Sequence, residues 1–115
     1  MNSPEPDKRR DRVIDVVGHD PKTDEVVLVM KEDEPWTGED EQLFRLQERF
    51  NTYVSFLLDG ELSESHPELA QKRARIDLRC AHMPENRTID LLGQIRDQLA
   101  HQEIEVQVIV KSLNP

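Results

Sequence analysis

The sequence predicts an α/β fold: an α+β two-layer sandwich in the order β-β-α-β-α-β, a mixed four-stranded sheet with two helices on one face. Three observations carry that expectation. Two apolar runs rich in β-branched residues lie close together near the start, separated by turn chemistry. Two later stretches alternate apolar and polar residues with the period of a half-buried strand. Between these pieces stand two segments whose apolar residues recur at helical spacing.

The first element is read from "RVIDVV" and the second from "VVLVM", with "GHDPKTDE" as the turn that makes them an antiparallel hairpin. If the first run is extended, Asp15 points away from Ile14 and Val16 toward solvent. After Trp36 the period changes. Leu43, Leu46, Phe50, Tyr53, Val54, Leu57 and Leu58 describe an amphipathic helix from Thr37 or Asp40 to about Asp59, stopped by Gly60. "ELSESHPELAQKR" is polar and broken by Pro67, and is expected to cross the domain edge with at most a brief helical turn.

"ARIDLRC" sets Ala74, Ile76, Leu78 and Cys80 against Arg75, Asp77 and Arg79, a one-sided strand. Ile89, Leu91, Leu92, Ile95 and Leu99 then form a helical face, with Asn86 or Thr88 as the expected cap. In "EIEVQVIVKSL", Ile104, Val106, Val108 and Val110 alternate with Glu105, Gln107 and Lys111 as a last strand. The closing β-α-β unit is expected to be parallel and right-handed. Periodicity leaves the strand order open, with a ferredoxin-like permutation as the competing topology.

Residues 1–11 are polar, charged and interrupted by Pro4 and Pro6, so they read as a flexible leader to one compact domain over 12–113. No apolar h-region opens the chain and no apolar run approaches membrane-spanning length, so a cytoplasmic protein with no membrane partner is expected. The single cysteine, Cys80, has no partner for an intramolecular disulfide. A net charge of −9 opposes nucleic acid as a partner. The charge is uneven: residues 1–71 hold eight bases and eighteen acids, the remainder seven and six.

The densest acidic stretch is "KEDEPWTGEDEQLF", with six carboxylates from Glu32 to Glu41. It lacks the ligand spacing of a calcium loop, whereas Thr37 and Asp40 suit a helix-start box and acids in the first turn suit the exposed amides. Helix initiation is therefore its expected use, with a face for a basic partner as the alternative. Trp36 is expected to staple that helix, packing on Leu43 or Phe44. Phe56 falls off the main apolar stripe, near Arg45 and Arg49, and so is a candidate for contact with another layer or chain. Cys80 and His82 are too few for a zinc site, and His19, His66, His82 and His101 fall at separate loops or element ends. Nucleophile elbows, phosphate-binding glycine loops and RNA-binding aromatic patterns are all missing. Arg73, Arg75 and Arg79 read as a solvated strand face. No catalytic, cofactor or metal residues are expected.

"VIDVVGHDPKTDEVVLVM", "WTGEDEQLFRLQERFNTYVSFLLDGE" and the later β-α-β pattern resemble a family of small uncharacterised bacterial proteins, a domain of unknown function. The most specific part runs from Trp36 through Leu43, Leu46, Gln47, Asn51, Tyr53 and Phe56 to Gly60 and Glu61. The resemblance implies a compact bacterial cytoplasmic domain and transfers no activity. The function expected from the residues is a noncatalytic protein-interaction or assembly module, binding a second copy as a homodimer or another protein. Trp36, Phe44 and Phe56 are its interaction candidates, together with an exposed sheet edge. The enzyme alternative is a small hydrolase with a histidine and carboxylate site between the "GHDPKTD" turn and the loop of His66 or His82. A third reading is acidic mimicry of nucleic acid.

Overall fold

A computed structural model describes residue 14 and residues 16–111. The leader expected over 1–11, the outward aspect of Asp15 and the two ends of the 12–113 domain lie outside the described residues. Strands β1 (Val16–Asp20) and β2 (Glu25–Glu32) form the hairpin, with Asp20 opposite Glu25. The first strand is displaced toward the turn from the "RVIDVV" run. The turn is closed where Asp24, at φ 61°, donates its N–H to the Asp20 carbonyl at 2.7 Å.

Helix α1 spans Asp40–Leu58 and is followed by α2 (Glu61–Ser65), β3 (Ala74–Cys80), α3 (Asn86–Ala100) and β4 (Ile104–Val110). Among the described residues the order is thus β-β-α-α-β-α-β with three α-helices, which corrects the two-helix β-β-α-β-α-β expectation. Gly60 is the reason. At φ 102° it ends α1 and immediately starts a second helix, which Pro67 and a short 3-10 turn over Pro67–Leu69 then terminate. Five residues are too few to display an apolar period, and only Leu62 of α2 is buried.

The sheet is mixed and ordered β1-β2-β3-β4, so consecutive strands are neighbours and the permuted alternative does not occur. β2 pairs antiparallel with β1 and parallel with β3, and β3 pairs parallel with β4. One sheet face supplies Val26, Leu28, Met30, Ala74, Ile76, Leu78, Cys80, Ile104 and Val106 to the core; the helices cover it with Leu46, Phe50, Tyr53, Leu92, Ile95 and Leu99. Residues one position on from each helix-facing residue of a strand point to the other side. Val27 and Val29 are buried there as well, so β2 is covered on both faces.

Arg75 organises that second face. Its Nε donates to Asp77 at 2.8 Å, and its Nη1 reaches Asp20 at 3.1 Å and Glu25 at 3.0 Å. Asp77 is only 3% exposed. These partners, Asp77 first, raise the guanidinium above its ordinary pKa, so the cation is fixed. The solvated face expected for Arg73, Arg75 and Arg79 is therefore corrected at its centre: Arg75 is pulled inward by three carboxylates, and only the flanking two are exposed. Arg75→Met would leave Asp77 buried without its cation, and a loss of about 3–5 kcal/mol in urea unfolding is expected. The double substitution Arg75→Met with Asp77→Leu is expected to recover most of that loss.

Candidate functional site

The chain leaves β2 and β3 at the same end of the sheet, and the two exits are tied together. Trp36, in the β2 exit, is 9% exposed within the core cluster, and its indole N–H donates to the His82 carbonyl in the β3 exit at 3.1 Å. Two residues on, Gly38 has φ 75°, and a Cβ there would run into the Glu85 carboxylate. Glu85 in turn caps α3. It accepts from the amides of Arg87 at 2.9 Å and Thr88 at 3.0 Å, and from the Thr88 hydroxyl. Arg87 closes the joint by donating to the Gly38 carbonyl at 2.8 Å and to Asp40 at 2.9 Å.

Both helix starts differ from expectation. The N-cap of α1 is Glu39, which makes no side-chain cap bond, and the Thr37–Asp40 box does not form. Gln42 replaces it, its side-chain oxygen accepting from the amides of Thr37 at 2.7 Å and Gly38 at 3.1 Å, while its amide donates to the Pro35 carbonyl. The third-position glutamine thus reaches back past the N-cap to the two residues before it, and the Thr37 hydroxyl also donates to its side-chain oxygen at 3.2 Å. At α3 the cap is Glu85, with Asn86 already the first helical residue. Sequence patterning favours short side chains at caps. The left-handed Gly38, which lets the neighbouring loop approach Glu85, was the available signal.

The three interaction candidates separate. Trp36 and Phe56 are each 9% exposed and belong to the core, whereas Phe44 is 61% exposed. The expected packing of Phe44 beneath Trp36 is thus not formed. Phe44 stands on the outer face of α1 with Asp40, Glu41 and Glu48 within about one turn, and Arg45 is paired to Glu41 at 3.2 Å. Phe56 turns inward although Leu58 nearby does not.

Histidines and acids do not converge on one site. His19 Nε2 lies 2.8 Å from Asp24, which also receives Lys72 at 2.9 Å, all at the hairpin end. His66 contacts Ser65. His82 lies past the opposite end, because the β2–β3 register runs from Val26–Ala74 to Glu32–Cys80, about 20 Å of strand. Burial, with Glu32 nearby, pushes the Cys80 thiol up to about 11, so it is a protonated core residue rather than a nucleophile. Among the described residues no group of three or more His, Cys, Asp or Glu is placed to hold a metal. A cleft of about 180 Å³ between α1, α2 and the start of β4, lined by Leu58, Leu62, Lys72, Arg73 and Glu103, falls below the roughly 300–1,000 Å³ of small-molecule sites. No described helix is long and apolar enough to cross a membrane.

The model of a family of unknown function, DUF6572, matches residues 8–112. The chain belongs to that family. No curated protein and no solved structure gives a significant match. In this DUF6572 chain the stretch from Trp36 to Glu61 that carries the family resemblance is also the stretch that builds the joint, through Trp36, Gly38 and Gln42.

The joint makes two predictions. Gly38→Ala is expected to cost about 1–3 kcal/mol in chemical denaturation, from the left-handed backbone and displacement of Glu85. The Thr88 hydroxyl, followed by the amides of Thr88 and Arg87, holds the Glu85 carboxyl below its ordinary pKa. A depressed folded-state value contributes stability that is complete above the unfolded carboxylate range near pH 4 and is lost as pH falls through the folded value. Thermal melts of Glu85→Gln are therefore expected to lose part of the acid sensitivity seen in the unsubstituted chain, with the two curves converging as pH falls below the folded-state value.

Proposed function

We propose that this DUF6572 chain is a noncatalytic protein-interaction or assembly module of the bacterial cytoplasm, whose partners are a second copy or another protein. The observation that supports this reading best is Phe44. A ring 61% exposed on a polar helix face is a large apolar group kept out of the core at a cost in solubility. Aromatic side chains of this kind anchor interfaces when a partner supplies a pocket.

Its surroundings narrow the partner. Asp40, Glu41 and Glu48 stand around Phe44; Arg87 pairs with Asp40 and Arg45 with Glu41, and Glu48 adds a further negative charge. A partner with an apolar socket and a basic rim fits, and the acidic field would speed its encounter.

The test compares two baits. Unsubstituted chain and Phe44→Asp, matched in melting temperature, are used to capture proteins from the source cytoplasm, and each captured protein is purified and titrated against both. A partner whose affinity falls at least tenfold on Phe44→Asp and weakens with salt is expected. Equal affinity for both baits would remove Phe44 from the reading.

A further inference from the structure

We propose that two copies of the chain join edge to edge through β4 and the outer flank of α3, making a continuous eight-stranded sheet with all helices on one side. This rests on the reading of the chain as an interaction module and adds the identity and register of one partner.

The β4 edge is built to accept a strand. Lys111 donates its N–H inward to the Cys80 carbonyl at 2.9 Å, and backbone groups alternate sides along a strand, so those of Val106, Val108 and Val110 point away from β3. No described strand pairs there. Edges are ordinarily blunted by proline, bulges or inward-pointing charge. β4 has none of these: Val106, Val108 and Val110 occupy the helix-side face of the edge, the last two 41% and 38% exposed.

The helix above has a matching flank. Thr88, Leu92, Ile95 and Leu99 face the core. On the side toward α1, Arg87 reaches the Gly38 carbonyl and Leu91 packs on the core cluster. Residues one position on from the core series, Ile89, Gly93, Arg96 and Ala100, therefore line the opposite flank, over the β4 edge. Ile89 is exposed there. Gly93 is the middle residue of α3, and a Cβ added to it would meet nothing within 4 Å. Glycine in a helix interior is unfavourable, and nothing within the described chain requires it. A second helix drawn close does require it. Pairing β4 with its copy at the usual spacing of about 4.8 Å brings the two α3 helices together above the strands, where a small residue at the crossing permits the approach.

Charge fixes the register. An antiparallel pair centred on Val108 sets Val106 against the copy's Val110 and Glu105 against the copy's Lys111. Antiparallel α3 helices centred on Gly93 set Arg96 against the copy's Asp90. Each contact occurs twice by symmetry; the valines meet valines, and the two charged contacts join opposite signs.

Sedimentation velocity on the full chain, from micromolar to millimolar protein, tests this with three substitutions. The unsubstituted chain is expected to reach twice its 13.4 kDa mass. Val108→Pro removes an outward N–H and no β3 bond, and Gly93→Arg fills open space with a better helix former. Both are expected to stay folded and monomeric. Arg96→Asp is expected to raise the dimer dissociation constant about threefold to tenfold, and Asp90→Arg added to it to restore the original value. A chain monomeric throughout the range overturns the β4 pairing while leaving the Phe44 reading to its own titration. A dimer that survives both Val108→Pro and Gly93→Arg also overturns it, and if Phe44→Asp dissolves that dimer, self-association belongs to α1.

Discussion

Among the described residues helices cover one face of the sheet, so the second face and the two edges are settled by other means, and the unusual features of this chain follow from that constraint. The second face is held by Arg75, which draws Asp20, Glu25 and Asp77 into one cluster and spans the hairpin and β3. The β1 edge is short, and α1 reaches past it: Arg49 donates to the Lys31 carbonyl at 2.8 Å, beyond the last β1–β2 pair, while Tyr53 donates to the Val29 carbonyl, opposite Val16, at 3.2 Å. The Lys31 acceptor is thus met by a side chain. The β4 edge receives no such treatment from the described residues, which is why it stands out as a surface.

The parallel half of the sheet imposes a second requirement. Two parallel crossovers put two loop exits at the same end, and loops there must turn without leaving amides unpaired. Gln42 pairs the amides of the first exit and Glu85 those of the second, and the bonds of Trp36 to His82 and of Arg87 to Gly38 tie the two exits together. The acidic stretch from Glu32 to Glu41 is consequently not one chemical unit. Glu32 pairs with Arg49 of α1 at 2.8 Å, Asp40 with Arg87 of α3, and Glu41 with Arg45 within α1, so three of its six acids are used in three separate pairs.

The sheet with its hairpin and the two long helices were legible in the sequence because each displays its period over several repeats. The short α2 was not, because five residues bury one leucine. The caps were not legible either: Glu85 and Gln42 act through long side chains folded back on loops, and the left-handed Gly38, which Gln42 pairs locally, lies against Glu85 from a loop distant in sequence. Arg75 was misplaced for a related reason. Alternation assigns a residue to a sheet face, but only the register, which sets Arg75 opposite Val27 and one step from Glu25, shows that three carboxylates meet it there. Phe56 is buried although it lies off the main stripe, because a helix covered by both a sheet and a following short helix has a wider apolar face than that stripe; Phe44, expected to pack beneath Trp36, is the one that stands exposed.

Charge separates the two proposed surfaces. Residues 86–111, which hold α3 and β4, carry three bases and four acids, interleaved so that an antiparallel copy meets opposite signs. The face around Phe44 carries three acids, two of them paired with Arg45 and Arg87, so its remaining charge is negative and favours a basic partner over a copy of itself. The two modes are therefore physically compatible in one molecule: β4 and α3 suit identical chains, and α1 suits a different one. With α1 lying over the β1–β2 half and α3 over β4, edge-to-edge pairing would leave both Phe44 faces outward, at the far sides of the same assembly.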